Sequence, residues 1–127
     1  MASPTPGQTT NLGMAPNVGG LLCYVPCCVG LVFSVVAVIV EKQSRFVRFH
    51  AFQSLLLHGA VIVLSIGLTV LQVVLGMVAG PLGVLVWLLS VLVGLGFLVV
   101  TILLMVKAHA NEEFELPVVG QMAKNWV

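Results

Sequence analysis

Two long runs of residues without a charged side chain constrain this chain more than any other feature. The first runs from Met1 to Val40, and the second runs from Phe49 to Val106. Between them lies a charged cluster, Glu41, Lys42, Arg45 and Arg48. An ordinary soluble domain has about 25% charged residues, whereas this chain has 7%. The sequence therefore predicts an integral membrane protein. It excludes a soluble enzyme, a disordered tail and a nucleic-acid-binding protein that uses a basic patch.

The lengths of these runs predict an all-α membrane protein with three transmembrane helices. A helix needs roughly 20 apolar residues to cross the bilayer core, so the first run holds one span, at about residues 18–40. The second run is long enough for two spans. Gly80 and Pro81 mark a turn within it, which gives spans at about residues 50–78 and 82–107. The apolar runs are continuous and do not alternate, which favours helices over a β-barrel.

The segments outside the spans are predicted to be tails. Residues 1–17 are typical of a mobile N-terminal tail, so the three-span bundle occupies residues 18–110. In residues 111–127, Met122 and Trp126 are one helical turn apart, which predicts a short interfacial helix. With three spans, all 5 Lys and Arg residues lie on one side of the membrane. The positive-inside rule then places the N-terminus outside and the C-terminus inside, and the bacterial cytoplasmic membrane is the expected location.

Small residues recur at helical spacing along the first and third spans. The positions predicted to pack helix against helix are Gly19, Cys23, Gly30, Gly83, Ser90 and Gly94. Small side chains let helix backbones approach closely in lipid. The cysteines Cys23, Cys27 and Cys28 do not have the spacing of a zinc or redox motif. Packing is therefore their expected role.

Polar side chains follow one face of the second span. They are His50, Gln53, Ser54, His58, Ser65, Thr69 and Gln72. Polar groups that face acyl chains are unfavourable, so this stripe is expected to face other helices, a partner subunit or a wet cavity. Two interpretations are open: hydrogen bonds between helices, or a path or site for a proton, an ion or a polypeptide. The stripe contains no Asp or Glu, which favours the first interpretation because proton relays usually contain one.

The loop after the first span is a candidate membrane-interface anchor or docking surface. Its residues are Arg45, Phe46, Arg48 and Phe49, and Trp126 of the C-terminal tail joins them. Arginine side chains reach lipid phosphates while aromatic rings lie at the acyl boundary. A cytosolic partner or an anionic lipid is the alternative ligand of the same side chains.

The sequence offers little that points to a cofactor or to catalysis. His50 and His58 lie about 12 Å apart along one helix, so they do not share a metal ion. Either imidazole is a conceivable ligand of a haem or chlorophyll, but hydrogen bonding is the default expectation. No nucleophile with its base, P-loop or metalloprotease helix is recognisable. We therefore expect no metal site, no cofactor and no enzyme activity.

Three segments carry a family resemblance. They are Asn17–Tyr24, Glu41–Ser54 and Leu116–Gly120, of which Glu41–Ser54 is the most specific. They resemble a widespread family of small bacterial and archaeal membrane proteins of unknown function, which is considered similar to Tic-twenty, a component of the chloroplast inner-envelope protein translocon. The resemblance covers about residues 17–127. It implies a helical membrane protein of three or four spans and carries over no catalytic residue.

Three functions are compatible with these features. The first is a scaffold or accessory subunit of a larger membrane assembly, because the packing stripes exceed what an isolated three-helix protein needs. The second is a Tic-twenty-like component that assists protein translocation or insertion, which the resemblance implies. The third is a proton or ion conduit along the polar stripe of the second span. The expected partners are the lipid bilayer and other membrane protein subunits, and no nucleic acid.

Overall fold

The computed structural model describes residues 9–26 and 28–127, and this part of the chain is all helical, without strands. Its five helices are α1 (Pro16–Leu22), α2 (Cys28–Val40), α3 (Arg45–Val78), α4 (Gly80–His109) and α5 (Val119–Trp126). The described residues fall into two compact units. One contains the residues up to His58 together with Thr101–Val127, and the other is Gly59–Val100.

Two of these helices, α3 and α4, are long and apolar enough to cross a membrane. They are separated at Ala79, next to the Gly80 and Pro81 pair that predicts a break. At the other end of α4, Asn111 adopts a positive φ of 61°. The Asn111 and Glu112 amides bond back to the carbonyls of Ala108 and Lys107, which is the usual way a left-handed residue ends a helix.

The expected first span at 18–40 is not one helix. It is divided into α1 and α2, with residues 23–26 outside both helices. Pro26 explains the division, because proline lacks an amide hydrogen and disfavours the helical conformation of the residue before it. With 13 residues, α2 is about 20 Å long, which is short of the roughly 30 Å bilayer core. The structure therefore has two clear candidate spans instead of the predicted three.

The start of α1 and the end of α2 lie at the same end of their unit. The side-chain oxygen of Asn11 accepts hydrogen bonds from the amides of Lys42 (3.0 Å) and Gln43 (3.1 Å), just after α2. The Asn17 amide donates to the carbonyl of His109, where α4 ends (3.2 Å). The chain thus runs away from this end of the unit along α1, reverses before α2, and comes back to the same end along α2. Residues 1–8 of the predicted mobile tail lie outside the described residues, whereas Asn11 is held by these bonds.

The linker between α2 and α3 is fixed by reciprocal capping. One oxygen of the buried Glu41 carboxylate accepts from the amides of Gln43 (2.9 Å) and Ser44 (2.8 Å), and the Ser44 hydroxyl accepts from the amide of Val47 (3.3 Å). The Ser44 bond satisfies an amide in the first turn of α3 that has no partner within the helix, and the Glu41 bonds satisfy two amides of the linker. Arg48 donates to the carbonyls of Val38 and Glu41 at the end of α2. The linker therefore joins the two helix ends rigidly.

Candidate functional site

The candidate site is a buried polar cluster formed by Tyr24, His50, Gln53, Ser54 and His58. Four of these residues follow one face of α3 at spacings of three and four, which is why they lie together. Tyr24 comes from the non-helical segment after α1. Tyr24, His50, Gln53 and Ser54 are completely buried, and His58 is 7% exposed. Buried polar groups are stable only when they are hydrogen-bonded, so their partners define what the cluster does.

The Tyr24 hydroxyl links two residues of α3. The side-chain amide of Gln53 donates to Tyr24 Oη at 2.9 Å, and Tyr24 Oη lies 3.0 Å from Nδ1 of His50. The phenol oxygen thus accepts from Gln53 and is bonded to His50, and the tautomer of His50 sets which of the two donates in the second bond.

Gln53 also holds the C-terminal tail. Its side-chain nitrogen donates to the carbonyl of Phe114 at 3.0 Å, and its side-chain oxygen accepts from the amide of Leu116 at 3.1 Å. The tail approaches so closely at Gly120 that a Cβ atom there would lie 2.8 Å from the Gln53 oxygen. Gln53 thus binds the backbone of the tail through both its donor and its acceptor.

Aromatic rings enclose His50. Its ring lies edge-on to those of Phe46 (4.5 Å between centroids) and Phe49 (5.2 Å). A Cβ atom on Gly20 would come within 3.1 Å of the His50 ring. Nε2 of His50 is buried and has no hydrogen-bond partner among the described residues. His50 therefore packs among these rings, and its Nδ1 atom lies within hydrogen-bond distance of Tyr24 Oη.

Ser54 of the cluster and Ser34 of α2 both bind the carbonyl group of Cys23, which α1 leaves unpaired at its end. Ser54 donates to it from α3, and Ser34 donates to it from α2 at 3.1 Å. The Cys23 thiol in turn donates to the Gly19 carbonyl at 3.2 Å. Nδ1 of His58 lies 2.8 Å from the Ser54 carbonyl. These contacts join α1, α2 and α3 through main-chain carbonyls.

The outer part of the predicted polar stripe does not join the cluster. Ser65 and Thr69 are exposed, and Thr69 donates to the Ser65 carbonyl of its own helix at 2.8 Å. Gln72 is half-buried in the second unit. The stripe is therefore a buried cluster over the first turns of α3, followed by separate polar residues.

The predicted docking residues have different environments. Phe46 and Phe49 are buried, so their rings are not available to lipid or to a partner. Arg48 is half-buried, bonded to main-chain carbonyls, and lies over the Phe52 ring at 5.5 Å. Arg45 is exposed. Trp126 is 52% exposed. The predicted docking residues thus differ in burial: Phe46 and Phe49 face the interior of their unit, whereas Arg45 and Trp126 are exposed.

The residues predicted to pack helix against helix also differ in burial. Gly19, Cys23, Gly30 and Gly83 are buried, whereas Ser90 is half-buried and Gly94 is exposed. Ser90 donates to the carbonyl of Val86 in its own helix. Cys27 lies outside the described residues. Cys28 is exposed, unlike Cys23.

Ion pairs surround the held tail. Lys107 pairs with Glu112 at 2.7 Å, and Lys124 pairs with Glu115. Partial burial raises the pKa of the Glu113 carboxyl above its ordinary value, and Arg45 and Lys124 oppose this rise. The described residues contain no group of three or more His, Cys, Asp or Glu side chains that could hold a metal ion.

Sequence reasoning missed Tyr24 and Asn11 as structural residues. Tyr24 is the single tyrosine of the chain, and it lies two residues before a proline within an apolar run. A buried tyrosine usually needs a hydrogen-bond partner. A lone tyrosine within an apolar run could therefore have indicated that Tyr24 binds one of the polar side chains of the second span. Asn11 gave no such signal, because its partners are backbone amides that only the folded linker brings close.

Comparison with known proteins finds relatives along nearly the whole chain. The model of the magnetosome magnetite crystal formation protein family (MamF/MmsF) matches residues 8–123. A UPF0132 membrane protein of Methanocaldococcus jannaschii is 39% identical over 117 residues, which cover 92% of this chain and 93% of the relative. A UPF0132 membrane protein of Archaeoglobus fulgidus is 34% identical over 114 residues, which cover 90% and 97%. No solved structure matches the chain.

Proposed function

Since the chain belongs to the magnetosome magnetite crystal formation protein family, and its archaeal relatives are named as membrane proteins, we propose that it is a membrane-embedded scaffold or accessory subunit of a larger membrane assembly. The observation that carries this proposal is the second unit, Gly59–Val100. It consists of parts of two apolar helices whose large side chains are mostly exposed. The family description names magnetite crystal formation, and the names of the relatives do not. The proposal therefore concerns the membrane role alone.

The polar cluster supports a structural role and not an enzymatic one. Its donors are directed at the chain's own backbone: Gln53 bonds the C-terminal tail, and Ser54 bonds Cys23. Nδ1 of His50 and Nδ1 of His58 both lie within hydrogen-bond distance of oxygen atoms of the chain. A site of this kind stabilises a fold, and neither an enzyme activity nor a cofactor is part of the proposal.

The exposed helices support the presence of neighbouring subunits. A groove of about 260 Å³ opens on the second unit, lined by Gln72, Gly76, Gly80, Gly83, Val84 and Trp87. It combines a polar amide with small residues. Small residues favour close helix approach in lipid, and a polar side chain adds an interhelical hydrogen bond. A helix of another subunit would find both features here.

The two alternatives have less support. The comparisons match a different family description and do not name Tic-twenty. A role in translocation would have to be supported by the identity of the partners found by experiment. A conduit along α3 would need a continuous polar path, whereas Thr69 bonds its own helix and Ser65 is exposed. Neither alternative has an observation that favours it over a scaffold.

The proposal includes an arrangement in the membrane. Two crossings, α3 and α4, are combined with α1 and α2 as a hairpin that enters and leaves at one face. Asn11 beside Lys42 and Asn17 beside His109 support this arrangement in place of a third crossing. All 5 Lys and Arg residues then lie on that face, which the positive-inside rule identifies as the inner face of the cytoplasmic membrane.

Site-specific photo-cross-linking in native membranes tests the scaffold. Leu92 and Val99, each 65% exposed, are replaced one at a time by a photoreactive benzoylphenylalanine. The matched control carries the same residue at Gln43, which is exposed in the linker before α3. We expect light-dependent adducts of discrete mass at Leu92 or Val99, which mass spectrometry identifies as another membrane protein or a second copy.

The same sample is also extracted in mild detergent and sized on a native gel. A band larger than the single chain, containing the cross-linked partner, would support the scaffold. Absence of a protein adduct at both positions, together with a single-chain band, would overturn it. The partners identified would also decide between a translocation machine and other assemblies.

A further inference from the structure

We propose that α5 and the segment before it form a membrane-interface anchor, whose ligand is the boundary between the headgroups and acyl chains of the phospholipid bilayer. The outward surface of this anchor consists of Val118, Met122 and Trp126. The inference is independent of the scaffold role, because it concerns lipid contact in the first unit and not the exposed helices of the second.

The depth of α5 follows from its contacts with α3. The charge-free part of α3 begins after Arg48, and Phe52 lies one helical turn, or about 6 Å, further along the helix. The ring of Trp126 contacts Phe52, with 6.0 Å between centroids. Gly120 lies against Gln53, the next residue of α3. Contacts at this level place α5 beside the first charge-free turn of α3 and not beyond its charged end.

One face of α5 is buried against the protein, and another presents exposed apolar side chains, as contact with lipid requires. Gly120 and Ala123 are buried against the protein. Met122 and Trp126 are four residues apart, so they share one side of the helix, and Val118 is the residue immediately before the helix. Their exposed fractions are 68%, 41% and 52%. Three large apolar side chains on an outward stripe are unfavourable in water and favourable at the acyl boundary, where tryptophan is enriched.

The segment before α5 fixes this stripe in place. Gln53 bonds the backbone on both sides of Glu115, at Phe114 and Leu116. The chain then turns at Val118, where φ is 67° and the Val119 amide bonds the Pro117 carbonyl at 2.7 Å. A branched residue in this turn is strained. Contacts with Gln53 hold the chain on both sides of this turn, at Leu116 and at Gly120.

The charges around α5 favour lipid over a soluble protein as the ligand. Lys124 is paired with Glu115 within the same segment. Arg48 lies over the Phe52 ring, which also contacts Trp126, and it bonds carbonyls at the end of α2. Lys124 and Arg48 thus have partners within the chain, and the three residues of the outward stripe carry no charge of their own.

Depth-dependent fluorescence quenching tests the anchor. The chain has 2 tryptophans, so Trp87→Phe leaves Trp126 as the single fluorophore, and Trp126→Phe leaves Trp87 in α4 as a lipid-facing control. Each variant is reconstituted in phosphatidylcholine vesicles that carry a doxyl label near the headgroup or near the bilayer centre. We expect Trp126 emission to be blue-shifted, and to be quenched more strongly by the shallow label than by the deep label or by aqueous acrylamide.

A second pair of variants links the depth of Trp126 to the Gln53 clamp. In the Trp87→Phe background, Gln53→Ala releases Phe114 and Leu116, so lipid quenching of Trp126 falls and acrylamide quenching rises. Gln43→Ala, a matched loss of an amide exposed in the linker before α3, leaves both unchanged. Trp126 that is quenched mainly by acrylamide, or by no quencher, would overturn the proposal, since its ring would then face water or be covered by protein. The unsubstituted Gln53 measurement decides this even if Gln53→Ala fails to fold.

Discussion

At the scale of single residues, the Tyr24 hydroxyl joins the segment after α1 to α3 through two hydrogen bonds. Its loss in Tyr24→Phe leaves Nδ1 of His50 buried without its partner and removes one of two acceptors for Gln53. A buried polar atom without its partner costs about 1–3 kcal/mol. We expect Tyr24→Phe to lower the temperature at which the detergent-solubilised protein loses its gel-filtration peak.

Ser65→Ala serves as the control for this measurement, because Ser65 is an exposed polar residue of α3, the helix that contains His50 and Gln53. Its melting temperature should match that of the unmodified chain within error. Equal temperatures for Tyr24→Phe and Ser65→Ala would contradict a cluster that stabilises the fold through Tyr24.

Much of the polar cluster follows from residue spacing in the sequence. His50, Gln53, Ser54 and His58 recur at intervals that put them on one helix face, and no knowledge of the fold is needed to group them. Their partners are different. Phe114 and Leu116 are more than 60 residues away along the chain from Gln53. Only tertiary structure brings those backbone groups to the amide, so the function of Gln53 was not predictable from α3 alone.

At the scale of helices, α3 and α4 approach closely where two glycines meet. A Cβ atom on Gly83 would lie 2.8 Å from the Gly76 Cα atom and 3.1 Å from its nitrogen. Backbone atoms do not yield as side chains do, so Gly83→Ala forces the helices apart. We expect a loss of about 1–3 kcal/mol of stability, measured by unfolding the protein in mixed micelles with increasing sodium dodecyl sulfate.

Gly94→Ala provides the comparison within the same helix. A Cβ atom on Gly94 meets no atom within 4 Å, and alanine has the higher helix propensity. This variant should be as stable as the unmodified chain or slightly more so. If Gly83→Ala and Gly94→Ala unfold at the same detergent fraction, the close contact with Gly76 is refuted.

Helix boundaries show why one break was predicted and another was missed. Gly80 and Pro81 stand together, and the helix ends beside them as the pair indicates. Pro26 stands alone among apolar residues, and the apolar length of residues 18–40 suggested one uninterrupted span. A single proline is compatible with a kinked membrane helix. The division into α1 and α2 depends on Ser34 and Ser54, which bond the Cys23 carbonyl that the break exposes.

At the scale of the whole molecule, the path of the first 40 residues decides the membrane orientation of the N-terminus. Three spans would put the N-terminus and the C-terminus on opposite faces. The Asn11 bonds to the linker and the Asn17 bond to the end of α4 instead bring the N-terminal segment to the end of the unit where α3 begins and α4 ends. Apolar length does not distinguish a crossing from a hairpin of two short helices, so the sequence alone did not separate three crossings from the two that we propose.

Protease protection of terminal tags tests this arrangement. One epitope tag is added before Met1 and another after Val127, and both are expected to be digested in sealed inside-out vesicles and protected in intact spheroplasts. The physical reason is that Asn11 and Asn17 tie the N-terminal segment to the face that contains Lys42 and Lys107, which is the insertion side by the positive-inside rule. Markers of known orientation establish that each preparation is sealed. Digestion of the two tags in opposite preparations would restore a third crossing and refute the hairpin of α1 and α2.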